Sequence, residues 1–160
     1  MASSPSPGDE SKAEELEREH EELFHELRSM IPGAEVLFAF LLTVAFTNRF
    51  SDITALQRNV YYATFLCAGL ALVLLLAPAA YHRVQFRRRD KEAMMKYANT
   101  EALAATVMVV FSISGTVFLI SDLLFSAGWA SIAAGLVGGL AATLWWGIPL
   151  SRRIRSQGSS

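Results

Sequence analysis

Long apolar runs constrain this sequence more than any other feature. Four stretches, at about residues 33–50, 60–81, 101–125 and 129–150, consist mainly of apolar side chains. A helix of about 20 such residues crosses the hydrocarbon core of a bilayer. The chain is 52% hydrophobic and only 18% charged, which excludes an ordinary soluble domain, a nucleic-acid binder and a fibrous protein. We therefore predict an all-α, multi-pass membrane protein with a bundle of four transmembrane helices.

The N-terminal region is polar and acidic, with nine acidic and three basic residues in the first 30. Residues 1–12 are rich in Ser, Pro and Gly, which predicts a disordered tail. Residues 13–31 predict an acidic, cytoplasmic amphipathic helix, because one helical stripe carries Leu16, His20, Leu23, Leu27 and Met30. This helix either contacts a partner or a second copy as a short coiled coil, or it is solvated and lies over the bundle. No basic segment precedes an apolar one here, so we expect no cleaved signal peptide.

A break is predicted between the amphipathic helix and the first span. Pro32 disfavours the helical conformation at Ile31 and suits the first position of a new helix. The transmembrane domain then covers residues 32–150, and residues 151–160 form a basic tail. The first span is short, so we expect its ends to snorkel or the bilayer to thin around it.

Basic residues in the connections predict the orientation of the spans. They concentrate in the loop after the second span and in the C-terminal tail: Arg83, Arg87, Arg88, Arg89, Lys91 and Lys96, then Arg152, Arg153 and Arg155. Such loops remain cytoplasmic, so we expect both termini in the cytoplasm of a protein in the cell membrane. The loop residues from Arg83 to Lys96 are also predicted to contact anionic lipid. Trp129 at the outer end of span four, and Trp145 and Trp146 near its inner end, agree with this orientation.

Several motifs resemble a known family. They are Glu26-Leu27-Arg28, Pro32 to Leu42 and Arg49-Phe50, then Ala77 to Arg83 with Phe86-Arg87-Arg88 and Lys91, and finally Ser121-Asp122. Over residues 26–125 the chain resembles a family of small uncharacterised actinobacterial four-span membrane proteins that carry a domain of unknown function. The resemblance implies the membrane topology and directs attention to Pro32, His82, Arg83 and Asp122. It implies no substrate, cofactor or reaction.

Three ionisable residues are predicted on the cytoplasmic side of the spans: Glu35, His82 and Glu101. Ionisable side chains within a membrane are costly and therefore mark functional sites by default. Together the three residues are a candidate intramembrane proton site, with His82 titrating near neutral pH. The structural alternative is that Glu35 and Glu101 are stabilised at helix N-termini, while His82 caps the last carbonyls of its span.

Asp122 is predicted near the C-terminal end of span three, where the helix dipole disfavours a negative charge. It therefore requires a cationic or hydrogen-bonding partner. We predict an ion pair between Asp122 and Arg49 on the outer side, with Arg58 as the alternative partner. The pair either clamps the bundle or belongs to a ligand or ion site.

Small residues recur at every fourth position of span four. This ridge consists of Ser131, Gly135, Gly139, Thr143 and Gly147. A ridge that includes Gly-x-x-x-Gly allows another helix to approach closely. That helix is either a neighbour in the same bundle or one from a second copy of the chain.

No motif typical of catalysis, cofactor binding or metal binding stands out in the sequence. We therefore expect no enzyme, no cofactor, no metal and no nucleic acid as a partner. The leading hypothesis is a non-enzymatic accessory or structural subunit that assembles through transmembrane helix packing, with itself or with another membrane protein, and recruits a partner through residues 13–30. The alternative is a small ion- or proton-coupled transporter, channel or pH-responsive subunit that uses Glu35, His82, Glu101 and Asp122.

Overall fold

Four long helices make up the described part of the chain. The computed structural model describes the backbone of residues 7–84 and 91–151, with side chains except at residues 7–17, 19–24, 26–27, 49, 82–84 and 91–95. The helices are α1 (Pro7–Val44), α2 (Ala55–Val84), α3 (Lys91–Leu124) and α4 (Ala127–Ala142). A 3-10 helix (Asn48–Asp52) connects α1 to α2, and a π-helical turn (Thr143–Gly147) continues α4, which then extends to residue 151.

Three of these helices are long and apolar enough to cross a membrane. The candidate spans are Ala55–Tyr81, Lys96–Leu124 and Ala127–Ser151. The prediction of an all-α chain with membrane-compatible helices is confirmed, and these three correspond to the second, third and fourth predicted spans. The second and third spans begin five residues earlier than predicted, because each helix starts with a more polar segment that contains Arg58 or Lys96, and the fourth differs by at most two residues at either end. The stretch predicted as the first span is not among the three candidates in the described residues.

The N-terminal half of the fold differs from the sequence prediction, because α1 is one helix with Pro32 inside it. Proline removes a backbone donor and crowds the carbonyl four residues earlier, but packing on both sides can keep the helix continuous. Ile31 and Ala34 flank the proline and belong to one apolar cluster with Leu75 of α2. Residues 7–12 are also helical instead of disordered, and residues 45–50 form a turn and part of the 3-10 helix.

The centre of the bundle is the pair α2 and α3. α2 packs along α3, α3 packs along α4, and α1 lies on α2 and touches α3 over a shorter stretch. In the most apolar 18-residue stretch of each candidate span, the buried share decreases from 28% in α2 to 11% in α3 and 6% in α4. α4 is therefore a peripheral helix, attached through α3, and most of its apolar surface is uncovered in the single chain.

Apolar clusters fix α1 on the central pair at two levels. One consists of Ala34, Leu75 and Ala105, from α1, α2 and α3. The other consists of Leu41, Tyr61 and Ala68, with flanking aromatic residues. There the Phe38 ring stacks on Phe65 with centroids 4.9 Å apart, and the Tyr61 hydroxyl donates a hydrogen bond to the Leu41 carbonyl. The aromatic cluster thus ties the last turns of α1 to α2.

At the level of the second cluster α2 and α3 approach closely at Thr64, Ser112 and Gly115, here called the α2–α3 crossing. Thr64 and Ser112 are 3% and 0% exposed. The Thr64 hydroxyl donates to the Val60 carbonyl at 2.7 Å, and the Ser112 hydroxyl donates across the interface to the Thr64 carbonyl at 3.2 Å. A Cβ on Gly115 would lie 2.0 Å from Thr64 Oγ1. The crossing therefore requires glycine at position 115.

Candidate functional site

Asp122 has a hydrogen-bonding partner, as its position at the end of α3 requires. Gln57 Nε2 donates to Asp122 Oδ2 at 2.9 Å, and both side chains are partly buried. The bond joins the last turn of α3 to the first turn of α2. The ion pair with Arg49 stays a prediction, because the Arg49 side chain lies outside the described residues. Arg58, the alternative partner, is exposed one residue after Gln57.

Gln57 is itself held by the N-terminal cap of α2. The Thr54 backbone N–H donates to Gln57 Oε1 at 2.9 Å, and the Gln57 backbone N–H donates to Thr54 Oγ1 at 3.2 Å. This reciprocal pair is a capping box, which satisfies helix-end donors. Both ends of the Gln57 amide are therefore engaged, one with the cap and one with Asp122. The sequence prediction missed Gln57, although Thr54-x-x-Gln57 before an apolar run is the signal for such a box.

Next to this pair lies a groove of about 470 Å³, bounded by the ends of α1 and α3, the 3-10 helix and the start of α2. We call it the α1–α3 groove. Leu41 and Tyr61 form its buried floor, while Phe40 and Ile120 lie at its exposed rim. Most of the remaining lining is also apolar, with Thr47, Asp52 and Gln57 near one end. Its volume and mixed lining are typical of sites for small ligands.

The predicted proton site is only partly described. Glu35 is exposed on α1, and Glu101 is partly buried on α3. The two residues lie at the same end of the bundle, because their neighbours Ala34 and Ala102 belong to one apolar cluster. His82 lies in α2, but its side chain is outside the described residues. The cluster of Glu35, His82 and Glu101 stays a prediction.

The predicted small-residue ridge of α4 faces away from the bundle. All five members are exposed: Ser131, Gly135, Gly139, Thr143 and Gly147. No described atom outside the helix lies within 4 Å of a Cβ built on Gly135 or Gly139. The contact with α3 uses a neighbouring stripe, where Ala130 is 0% exposed and a Cβ on Gly138 would lie 2.6 Å from Ser114 Oγ. Within the described chain, the ridge is therefore open.

The ridge ends in the π-helical turn. There the Ile148 backbone N–H bonds to the Thr143 carbonyl, five residues earlier. Pro149 follows, and it provides no N–H for the carbonyl of Trp145 and crowds that carbonyl with its ring. A wider turn relieves this crowding. The same turn carries Trp145 and Trp146, whose ring centroids lie 6.2 Å apart.

Most of the predicted lipid-binding cluster lies outside the described side chains: Arg83, Arg87, Arg88, Arg89 and Lys91. Lys96 is described and exposed at the start of the α3 span. Beside it Tyr97 stacks on Tyr81 of α2 with centroids 4.9 Å apart. This end of the bundle therefore carries a cationic side chain next to an aromatic pair. Among the described residues, no three His, Cys, Asp or Glu side chains form a group that could hold a metal ion.

Comparison with known proteins identifies a family but no activity. The family DUF6328, described as a family of unknown function, matches residues 9–149. No curated protein and no solved structure gives a significant match. The match includes almost all of α1 and the whole of α2, α3 and α4, and it agrees with the resemblance to a domain of unknown function. The chain therefore belongs to the DUF6328 family of unknown function.

Proposed function

We propose that this protein is a non-enzymatic, multi-pass subunit of the cell membrane that assembles with a second copy of itself through the α4 ridge. One observation carries the proposal: Gly135 and Gly139 have no described neighbour within 4 Å of an added Cβ, while Gly138 already packs on α3. Apolar surface alone does not drive helices together within a bilayer, because lipid chains are equally apolar. Small residues do so by allowing close backbone packing.

The chemistry of the ridge supports this role. Its hydroxyl groups are already satisfied within α4, because Ser131 Oγ donates to the Ala127 carbonyl at 2.8 Å and Thr143 Oγ1 donates to the Gly139 carbonyl at 2.7 Å. The ridge therefore presents a shallow surface with no unsatisfied hydroxyl, compatible with lipid and with another helix. The part of the ridge in regular α-helix, from Ser131 to Gly139, is self-complementary when a two-fold axis relates two copies.

We also propose that α1 supplies a fourth span, which places both termini in the cytoplasm. Its apolar part, residues 30–44, is about 22 Å long at 1.5 Å per residue, shorter than the hydrocarbon core. This span needs the 3-10 helix to reach the interface, or a locally thinner bilayer. Aromatic residues support the placement of the ends, with Tyr81, Tyr97 and Trp145 at one level and Trp129 at the other.

The transporter alternative receives less support from the described residues. A proton or ion path needs ionisable or hydrated groups through the interior. The buried hydroxyl groups described in the spans are neutral, and all except that of Ser114 are hydrogen-bonded: Tyr61, Thr64, Ser112 and Ser114. Proteoliposome flux measurements test the alternative directly, since replacing Glu35, His82, Glu101 and Asp122 with neutral residues would abolish any flux that depends on them.

Native mass spectrometry of the full chain, released gently from its membrane, tests the assembly. We expect a dimer for the wild type and a monomer for the double variant Gly135→Leu with Gly139→Leu. The matched control is Ala63→Leu with Ala79→Leu, which adds bulk at exposed positions of α2 and should remain dimeric. A monomeric wild type, or a ridge variant that stays dimeric, would contradict the proposal.

The acidic segment is the proposed site for a further partner. Residues 13–30 carry seven of the chain's 15 acidic residues, and the helices α2, α3 and α4 lie outside residues 1–30. We expect the deletion to release a stoichiometric partner without dissociating the dimer. Loss of the dimer on deletion would instead place the assembly surface in this segment.

A further inference from the structure

The α1–α3 groove has a buried floor and an exposed apolar rim. The floor residues Leu41 and Tyr61 are 2% and 8% exposed. The rim residues Phe40, Ile120 and Leu123 are 55%, 50% and 58% exposed. Because the rim belongs to α1 and α3, the groove opens sideways between these helices and not only at the end of the bundle. Both α3 rim residues lie within the candidate span Lys96–Leu124, so the opening faces the hydrocarbon phase of a membrane.

One end of the groove is polar and bears negative charge. Asp52 lies in its lining, and Asp122 lies beside it through the bond to Gln57. α1 and α3 both end here and α2 begins, so the partial negative charge of two helix C-termini meets the partial positive charge of one N-terminus. Arg58, the described basic side chain in this region, is exposed on α2 and does not line the groove, while the Arg49 side chain lies outside the described residues. A cationic group is therefore the complementary partner for this end.

We propose that the α1–α3 groove binds one acyl chain of a membrane phospholipid whose ammonium head group pairs with Asp52. The chain enters between Phe40 and Ile120 and lies over Tyr61, with its far end towards Thr116. Asp52 Oδ1 already accepts a hydrogen bond from Ser51 Oγ at 3.2 Å, and a carboxylate has further acceptor sites for an ammonium group. The proposal rests on the membrane placement proposed above and is independent of assembly through α4.

Retention of lipid by the full chain tests this site. The protein is reconstituted in vesicles with equal amounts of phosphatidylethanolamine and phosphatidylglycerol, extracted, and analysed by native mass spectrometry. We expect one ethanolamine lipid to be retained per chain, with a preference over the glycerol lipid of about tenfold, which corresponds to about 1.4 kcal/mol. Asp52→Asn should retain a lipid but bring the two classes to parity.

Two variants that fill the groove distinguish lipid bound in this site from lipid bound elsewhere on the protein surface. Thr116→Phe fills it from α3 and Val44→Phe from α1, and each should lose the retained lipid while keeping the helical circular dichroism of the wild type. The control Val73→Phe enlarges an exposed side chain of α2 outside the described lining and should retain the lipid. Retention by both filled variants, or an unchanged preference in Asp52→Asn, would overturn the assignment, as would absence of retained lipid from the wild type. The oligomeric state, read in the same spectra, reports separately on the α4 ridge.

Discussion

The α2–α3 crossing and the α4 ridge consist of similar small residues, but within the described part of the chain a neighbouring helix packs only on the first. At the crossing, an added Cβ on Gly115 would lie 2.0 Å from Thr64 Oγ1 and 3.0 Å from Thr64 Cβ. On the ridge, an added Cβ on Gly135 meets no described atom within 4 Å. A glycine in a helix interior is unfavourable relative to alanine by about 0.5–1 kcal/mol unless close packing requires it. Gly135 and Gly139 carry this cost without a described neighbour, and the proposed self-assembly would supply one.

The largest expected effect is on the stability of the crossing. Gly115→Ala should lower the free energy of unfolding in detergent by about 3 kcal/mol, because the Thr64 side chain is β-branched, buried and unable to move away. Thr64→Ala in the same chain should recover part of this loss by removing Thr64 Oγ1 and Cγ2, which would lie 2.0 and 3.1 Å from the added Cβ. Gly135→Ala is the matched control and should cause no loss, measured by the same thermal unfolding in detergent that keeps the protein monomeric. Equal losses at both glycines would remove the distinction between the two surfaces.

The next effect concerns the end of the α2–α3 pair, where Gln57 links the cap of α2 to Asp122. Gln57→Glu keeps an acceptor for the Thr54 N–H but places two carboxylates together, so we expect a loss of about 1–2 kcal/mol. Asp122→Asn should restore stability in the Gln57→Glu background, because an amide again faces a carboxylate. Chemical unfolding of the four chains as a double-mutant cycle measures this coupling. Additive effects would show that Gln57 and Asp122 do not interact.

Gly138 lies at the contact between α3 and α4, which is closer than any contact of the ridge glycines but less close than the α2–α3 crossing. An added Cβ would lie 2.6 Å from Ser114 Oγ, which is the rotatable end of a small side chain and not a buried branched one. Gly138→Ala should therefore cost about 1 kcal/mol or less. In the thermal unfolding assay, the melting temperature of Gly138→Ala should decrease by less than that of Gly115→Ala. A drop as large as that variant's would mean that α3 and α4 are as tightly fixed as α2 and α3.

The smallest effect is expected at Ser114, whose buried hydroxyl has no hydrogen-bond partner among the described residues. Ser114→Ala removes an unsatisfied polar group, so stability should stay the same or increase by up to about 1 kcal/mol. Ser114→Ala should also reduce the loss of stability that Gly138→Ala causes when the two substitutions are combined. A clear loss of stability in Ser114→Ala would instead reveal a partner for this hydroxyl.

Hydropathy in the sequence predicts the three candidate spans, because membrane-compatible length and composition are local properties. It does not predict the continuity of α1 through Pro32, which depends on the packing of Ile31 and Ala34 with Leu75. The need of Asp122 for a partner was also predictable, since it follows from the helix dipole. The partner Gln57 was not found, because the prediction looked for a cation and not for an amide held in a capping box.

The two small-residue stripes of α4 show what periodicity in the sequence leaves undetermined. Ala130, Ala134 and Gly138 recur every four residues, and so do Ser131, Gly135 and Gly139. The stripes are adjacent on the helix and have the same spacing, so periodicity alone does not indicate which one faces α3. Only the three-dimensional packing assigns Ala130 and Gly138 to the interior and leaves Gly135 and Gly139 open.

The most direct test of the α4 ridge as a self-assembly surface is disulfide cross-linking in the native membrane. Single cysteines are placed at Gly135 on the ridge and at Val73 on the exposed face of α2, with the native Cys67 replaced by Ala. A disulfide requires Cα atoms within about 7 Å, a separation that close ridge-to-ridge packing provides. We expect rapid oxidation of Gly135→Cys to a covalent dimer and none for Val73→Cys. Absence of the ridge dimer, or equal cross-linking at both positions, would contradict assembly through α4.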